Sequence, residues 1–238
     1  MWRLNEKLLE RAEKENVAKV TWIYQHDSEF MDLAQLKTLL DTYCDYSHLD
    51  MPYVPYARQD KRVSNRSTFA FTTFAKLLNS LHFSMVTTLD AHCIHRIYKI
   101  KNCENKLPHQ QVYDTFAELL PSHIAYPDQG AANRYRHAYQ LPVGYVLAEK
   151  TRNPDNGNVE GLQIVSAPYV DKASFKHALI IDDICDGGAT FKAFAHLLKT
   201  EGFQEVSLFV THGLFTKGVE TLREAGIKRI FTYKGEVK

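Results

Sequence analysis

The sequence predicts an α/β protein in two halves, each a mostly parallel sheet flanked by helices. Three observations carry that expectation. Short strand patterns bounded by turn residues recur at 85–89, 123–126, 143–148, 178–181 and 205–210, and 178–181 is an uninterrupted apolar run, the pattern of a strand buried in a parallel sheet. Between them lie stretches with apolar residues at helical spacing, so strand and helix alternate. Finally, 101–108 is polar and irregular, which marks a hinge and divides the chain into halves at 1–107 and 108–238.

Composition narrows the class. At 238 residues the chain suits one large α/β domain or two small ones. A net charge of +1 with mixed signs gives no reason to expect nucleic acid or membrane as a partner. The four cysteines (Cys44, Cys93, Cys103, Cys185) are widely spaced and form no CxxC pair. Neither a disulfide framework nor a zinc knuckle is therefore expected, and the thiols fit a reducing cytoplasm. The polar start leads into a charged helix, so no signal peptide is expected, and no apolar run is long enough to span a bilayer. GxxxxGK[ST] is absent, so ATP would be held without a Walker-type loop.

In order, residues 3–16 read as a surface helix, 19–24 as a strand, and 31–43 as a helix with a leucine stripe. Residues 51–62, MPYVPYARQDKR, follow a short strand as an ordered loop. Its Arg58, Gln59, Asp60, Lys61 and Arg62 place planar donors and positive charge together, suited to a polyphosphate or a base edge. Residues 67–81 form an amphipathic helix, and the strand 85–89 ends at Asp90-Ala91-His92. At a strand end an acid and a histidine two apart share a face, where a metal or a nucleotide phosphate could meet both. The HxxH of His92 and His95 lacks further ligands for zinc.

In the second half, 111–120 is a helix and 123–126 a strand. It leads to Pro127-Asp128-Gln129-Gly130 at the start of another helix, a turn suited to an anion or its metal. The strand 143–148 runs into 149–158, EKTRNPDNGN, rich in turn formers and expected as a mobile loop whose Lys150 and Arg152 can close over a transferring group. Residues 217–225 form a helix and 229–233 a last strand.

The most informative run is 177–191, HALIIDDICDGGATF. An apolar strand ends on Asp182 and Asp183, then Asp186, Gly187, Gly188, Ala189 and Thr190 lead into the helix 191–198. Strand, tight turn and helix N-terminus is where open α/β sheets bind ligands. The glycines allow backbone N–H groups to close around an anion, while the paired carboxylates suit sugar hydroxyls or Mg²⁺. A sugar phosphate satisfies both, with phosphate in the nest and cis-diol on the acids.

This run resembles the phosphoribosyl-diphosphate loop of type I phosphoribosyltransferases and of the ribose-phosphate diphosphokinases. Further stretches resemble the latter family in the same chain order: 53–61 its PYxxYARQDR segment, 88–92 its DLH segment, 126–130 its PDxG turn, 150–152 its catalytic-loop KRR, and Thr211-His212-Gly213 its strand end. The resemblance implies two phosphoribosyltransferase-like halves and transfer of a diphosphoryl group from ATP to ribose 5-phosphate, with Mg²⁺. It assigns Lys150 and Arg152 to catalysis, and Arg58, Gln59, Asp60 and His92 to ATP. Asp128, Asp182, Asp183, Asp186, Gly187, Gly188, Ala189 and Thr190 go to ribose phosphate, and His92 and Asp128 to the metal. It also implies a homo-oligomer. Two departures stand out. The family's phenylalanine-and-acid adenine loop has no match in 1–20, and Gly187-Gly188 replaces Thr-Ala. The glycines leave open a bulkier ribosyl acceptor such as ADP-ribose; a phosphoribosyltransferase and a non-catalytic regulatory homologue are the rival classes.

Overall fold

The computed structural model describes residues 6–59, 68–152, 159–166 and 176–238, of which 150–152, 159–160 and 166 are described by their backbone alone. The chain divides into two compact units, Met1–Leu107 and Pro108–Lys238.

Unit 1 runs α1 (Glu6–Glu15), β1 (Val17–Thr21), α2 (Glu29–Leu40), β2 (Tyr46–Asp50), α3 (Ala70–Asn79), β3 (Met85–Leu89), a 3₁₀ turn (Ile94–Lys99) and β4 (Cys103–Lys106). The strands lie in sequence order, all parallel. Each new strand joins on the same side, so right-handed crossovers put the helices on one face. Leu49 and Val86 pack there with Leu33, Phe71, Phe74 and Leu78, and Ala18 with Ala12 and Leu40. The alternate positions Val17, Lys19, Tyr46 and Met85 are exposed.

Two expectations for this unit are corrected. The stretch 101–108 is not irregular throughout, because it contains β4; the boundary between the units falls at its end, after Leu107. That strand is polar because it is an edge, paired on one side only. And β1 stops at Thr21 rather than reaching residue 24, with Trp22 making one more sheet bond to the Asp50 carbonyl before the chain turns.

Unit 2 runs α4 (His109–Leu119), β5 (His123–Tyr126), α5 (Gln129–Tyr139), β6 (Gly144–Arg152), β7 (Val159–Ser166), β8 (His177–Cys185), α6 (Ala189–Thr200), β9 (Glu205–Gly213), α7 (Glu220–Glu224), β10 (Ile227–Thr232) and β11 (Gly235–Glu236). The strand order is β11-β10-β9-β8-β5-β6-β7. The five central strands are parallel, with antiparallel β11 and β7 at the edges. The chain steps outward from β5 to β6, then returns to the far side of β5 with β8. Crossovers in opposite directions put α5 and α6 on opposite faces. Phe191, Phe194, Ala195 and Leu198 of α6 bury against Ala178, Ile180, Val206 and Leu208, while α5 packs on β5, β6 and β8 with Tyr135 and Tyr139 buried. The reversal between β5 and β8 is a topological switch point, and the turns after both strands border its crevice.

Strand lengths are corrected here too. β8 continues through both acids to Cys185, because pairing with β9 persists to Cys185 opposite Gly213. β6 reaches Arg152 and pairs with β7, where a loop was expected from residue 149. Its composition is polar because this ribbon extends past the sheet: β5 ends opposite Leu147, and the rest of β6 has only β7 beside it. Residues 153–158 of that expected loop lie outside the described residues.

Candidate active site

Asp182 and Asp183 stand near the carboxyl end of β8, across the switch point from the turn at Asp128. Asp183 is buried and meets Arg134 of α5 at 3.2 Å, both side chains being almost closed to solvent. Asp182 keeps part of its surface open, and its Oδ1 accepts from the backbone N–H of Asp183 at 2.9 Å. Loss of water around it, then the charges of Asp183 and Asp128, push the Asp182 carboxyl well above the usual carboxylate range. Asp128 caps α5, its Oδ1 accepting from the Ala131 N–H at 3.0 Å.

Because a raised carboxyl favours its protonated form in the fold, Asp182 contributes falling stability as pH rises from the ordinary carboxylate value (about 3.9) to its own. Asp182→Asn keeps the bond from the Asp183 N–H and removes the repulsion. It is expected to raise Tm by about 2–4 °C at neutral pH. A thermal melt at pH 5 and pH 8 checks the sign, since the gain must be larger at pH 8.

The turn after β8 leads into a helix start of the kind that can accept an anion. Gly188 caps α6 with φ +74°, a conformation L side chains rarely adopt, and a Cβ there would lie 2.7 Å from the Leu222 side chain. Gly187 needs no such freedom; its α-carbon lies against the stem of Lys217, 3.4 Å from the place a Cβ would occupy. Thr216 Oγ1 donates to Asp186 Oδ1 at 2.6 Å, and the N–H groups of Leu214 and Phe215 donate to the Cys185 carbonyl. The loop after β9 thus braces the anion turn and brings a lysine beside it. Ala189 and Thr190 open α6, where unpaired N–H groups and the helix dipole favour negative charge. Gly188→Ala is expected to cost about 1–3 kcal/mol from the strained φ and to weaken phosphate binding; urea unfolding and inorganic phosphate titration check both.

Lys150 and Arg152 are strand residues, opposite Leu162 and Val159. Their backbone rises from the same carboxyl edge as the Asp128 turn. The residues that the resemblance assigns to ATP belong to unit 1. Arg58 and Gln59 are exposed, Gln59 Oε1 accepting from the Ala70 N–H at the start of α3; Asp60, with Lys61 and Arg62, lies outside the described residues. The expected shared face of Asp90 and His92 does not form. Asp90 is fully buried with φ +48°, its N–H bonded to the Lys106 carbonyl, and this left-handed residue breaks the alternation that would have aligned it with exposed His92. Among the described residues no group of three or more His, Cys, Asp or Glu forms a ready metal cluster.

Sequence reasoning missed Arg134 and Lys217. Arg134 left a signal: it lies three residues after buried Ala131 and beside buried Tyr135, a charge on the inward stripe of a helix. Lys217 left none, since only the fold of the β9–α7 loop brings it to the turn.

The phosphoribosyl transferase domain model matches residues 116–237. The chain is 27% identical over 213 residues to a ribose-phosphate pyrophosphokinase of Saccharolobus solfataricus, covering 87% of this chain and 72% of that protein. It is 26% identical over 225 residues to that of Pyrococcus furiosus, covering 92% and 77%. In structure it is similar to phosphoribosylpyrophosphate synthetase from Mycobacterium smegmatis, with a TM-score of 0.71 at 18% identity over 91% of this chain and 71% of that one. No described helix is long and apolar enough to cross a membrane. With the domain model matched over more than half its length, and the anion turn and acid pair at the switch point of that domain, the chain belongs to the phosphoribosyl transferase domain family as a ribose-phosphate pyrophosphokinase homologue.

Proposed function

We propose that the protein transfers the diphosphoryl group of ATP to the 1-hydroxyl of ribose 5-phosphate, giving 5-phosphoribosyl 1-diphosphate and AMP. The observation that carries this reading is the pairing, at one switch point, of an anion turn ending in left-handed Gly188 with a carboxylate pair. The similarity to named pyrophosphokinases runs through both units, beyond the transferase domain alone.

The 5-phosphate sits on Gly187–Thr190 with Lys217 beside it. Asp182 accepts from the ribose diol and Asp183, fixed by Arg134, keeps that carboxylate in place, so the 1-hydroxyl is aimed. Its oxygen bonds to the β-phosphorus, the bond from β-phosphorus to the α,β-bridging oxygen breaks, AMP leaves, and the hydroxyl proton goes to solvent. Lys150 and Arg152 neutralise charge on the transferring group; positioning and charge neutralisation carry the rate, with no strong base required. Asp128 and Asp182 offer the hard oxygen donors Mg²⁺ takes, and His92 borders the nucleotide side; the ion would supply neutralisation of diphosphate charge. Free thiols at all four cysteines fit a cytoplasmic enzyme, and we expect a homo-oligomer, which sedimentation would size.

A Cβ at Gly188 would lie 2.7 Å from Leu222, whereas one at Gly187 would make ordinary contact with Lys217 at 3.4 Å, so packing requires glycine only at 188 and a bulkier acceptor stays the alternative. Incubation with ATP, Mg²⁺ and ribose 5-phosphate is expected to release AMP. Release with ADP-ribose in place of ribose 5-phosphate would move the acceptor, and no release with either would refute the reading.

A further inference from the structure

The loops leaving the carboxyl ends of neighbouring parallel strands β1 and β2 meet in an aromatic cluster that the site above does not use. Trp22 and Phe74 are its buried base; Tyr24, Tyr53 and Tyr56 are its half-open rim. Tyr24 lies 5.8 Å from Trp22 and 6.1 Å from Tyr53 between ring centroids, and Tyr56 lies 6.1 Å from Phe74. Tyr56 has φ +61°, a rare conformation for a bulky side chain and one that persists only where its surroundings hold it. What holds it is Asp27. The Tyr56 hydroxyl donates to Asp27 Oδ1, and the Tyr24 hydroxyl donates to the same atom at 2.8 Å. Those two bonds keep the Asp27 carboxyl below its ordinary range. An exposed acid is thereby fixed in place with both tyrosines on Oδ1, and Oδ2 receives neither.

Exposed Arg58 follows two residues after Tyr56, and the Gln59 N–H donates to the Tyr56 carbonyl at 2.9 Å. The strained tyrosine therefore also sets the direction of the segment assigned to ATP. Aromatic faces stack on any base, while among base edges a fixed carboxylate oxygen pairs only with one that carries an N–H.

We propose that Tyr24, Tyr56 and Asp27 form the base-reading part of the nucleotide site, the rings stacking on adenine and Asp27 Oδ2 accepting from its 6-amino group. This rests on the proposed function for the identity of the nucleotide. Asp27→Asn separates base reading from mere loop bracing, because the amide oxygen still accepts both tyrosine hydroxyls while the amide nitrogen now donates.

Calorimetric binding of MgATP and of its 6-oxo analogue, inosine triphosphate, gives the test, without sugar present. The wild type is expected to prefer ATP by about tenfold or more, and Asp27→Asn to bring the ratio to about unity or invert it. Tyr24→Leu is expected to weaken both nucleotides by about tenfold through the lost stacking ring, and to narrow the ratio only in part, since it also removes one of the two bonds that fix Asp27. Ribose 5-phosphate affinity stays unchanged in both variants. A wild type without ATP preference, or an Asp27→Asn protein that keeps the full ratio, overturns the assignment. If AMP is still formed from ATP and ribose 5-phosphate, the proposed function survives that failure; absence of AMP with an intact ATP preference would sink the function and leave the base site standing.

Discussion

Arg152→Ala and Lys150→Ala are each expected to lower kcat by about 10³-fold or more, with KM for ribose 5-phosphate moving by less than about threefold. The reasoning is differential. On the proposed function, a cation that meets the transferring diphosphoryl group gains most where charge redistributes in the transition state, whereas the sugar would be held by the turn after β8. The two positions lie on the β6 ribbon, whose backbone leaves the sheet on the edge that carries the Asp128 turn. Steady-state kinetics with AMP as the readout decides the matter. A large rise in KM with near-normal kcat would move both residues out of the transition state and into ground-state binding.

Arg134→Met is expected to cost about 3–5 kcal/mol of stability, because it leaves buried Asp183 without its guanidinium. A loss of that size lowers Tm by roughly 10 °C in a chain of this length. Adding Asp183→Asn should restore most of the loss, since removing both charges is far cheaper than removing one. Chemical unfolding of the single and double variants measures both effects; a single variant as stable as the wild type would show that the pair carries no weight.

Much of the architecture was legible in the residues. β3 and β5 lie where short runs of strand-forming residues put them, because β-branched, aromatic and apolar side chains fit a pleated surface. The anion turn was legible for a related reason: a strand, an acid pair and a glycine at a helix start satisfy local rules within fifteen residues. Local rules also misled. Residues 101–108 read as hinge because they are polar, yet an edge strand is polar too, and only the neighbour β3 reveals it. β8 was expected to end at its acids because charge is costly inside a sheet. It continues because Arg134, arriving from another element, makes one of them affordable.

The residues by themselves determined the class of the fold, the places of several of its strands and the strand–turn–helix pattern at 177–191. Only the tertiary structure decided that the turns after β5 and β8 share one crevice, since that follows from the strand order reversing beside β5. It alone separated Asp90 from His92, through one left-handed residue. It also joined Asp183 to Arg134, Gly187 to Lys217 and Asp27 to Tyr56. The physical reason is the same in each case: periodicity and turn chemistry act over a few neighbours, whereas a charge pair or a close approach is set by which elements pack together.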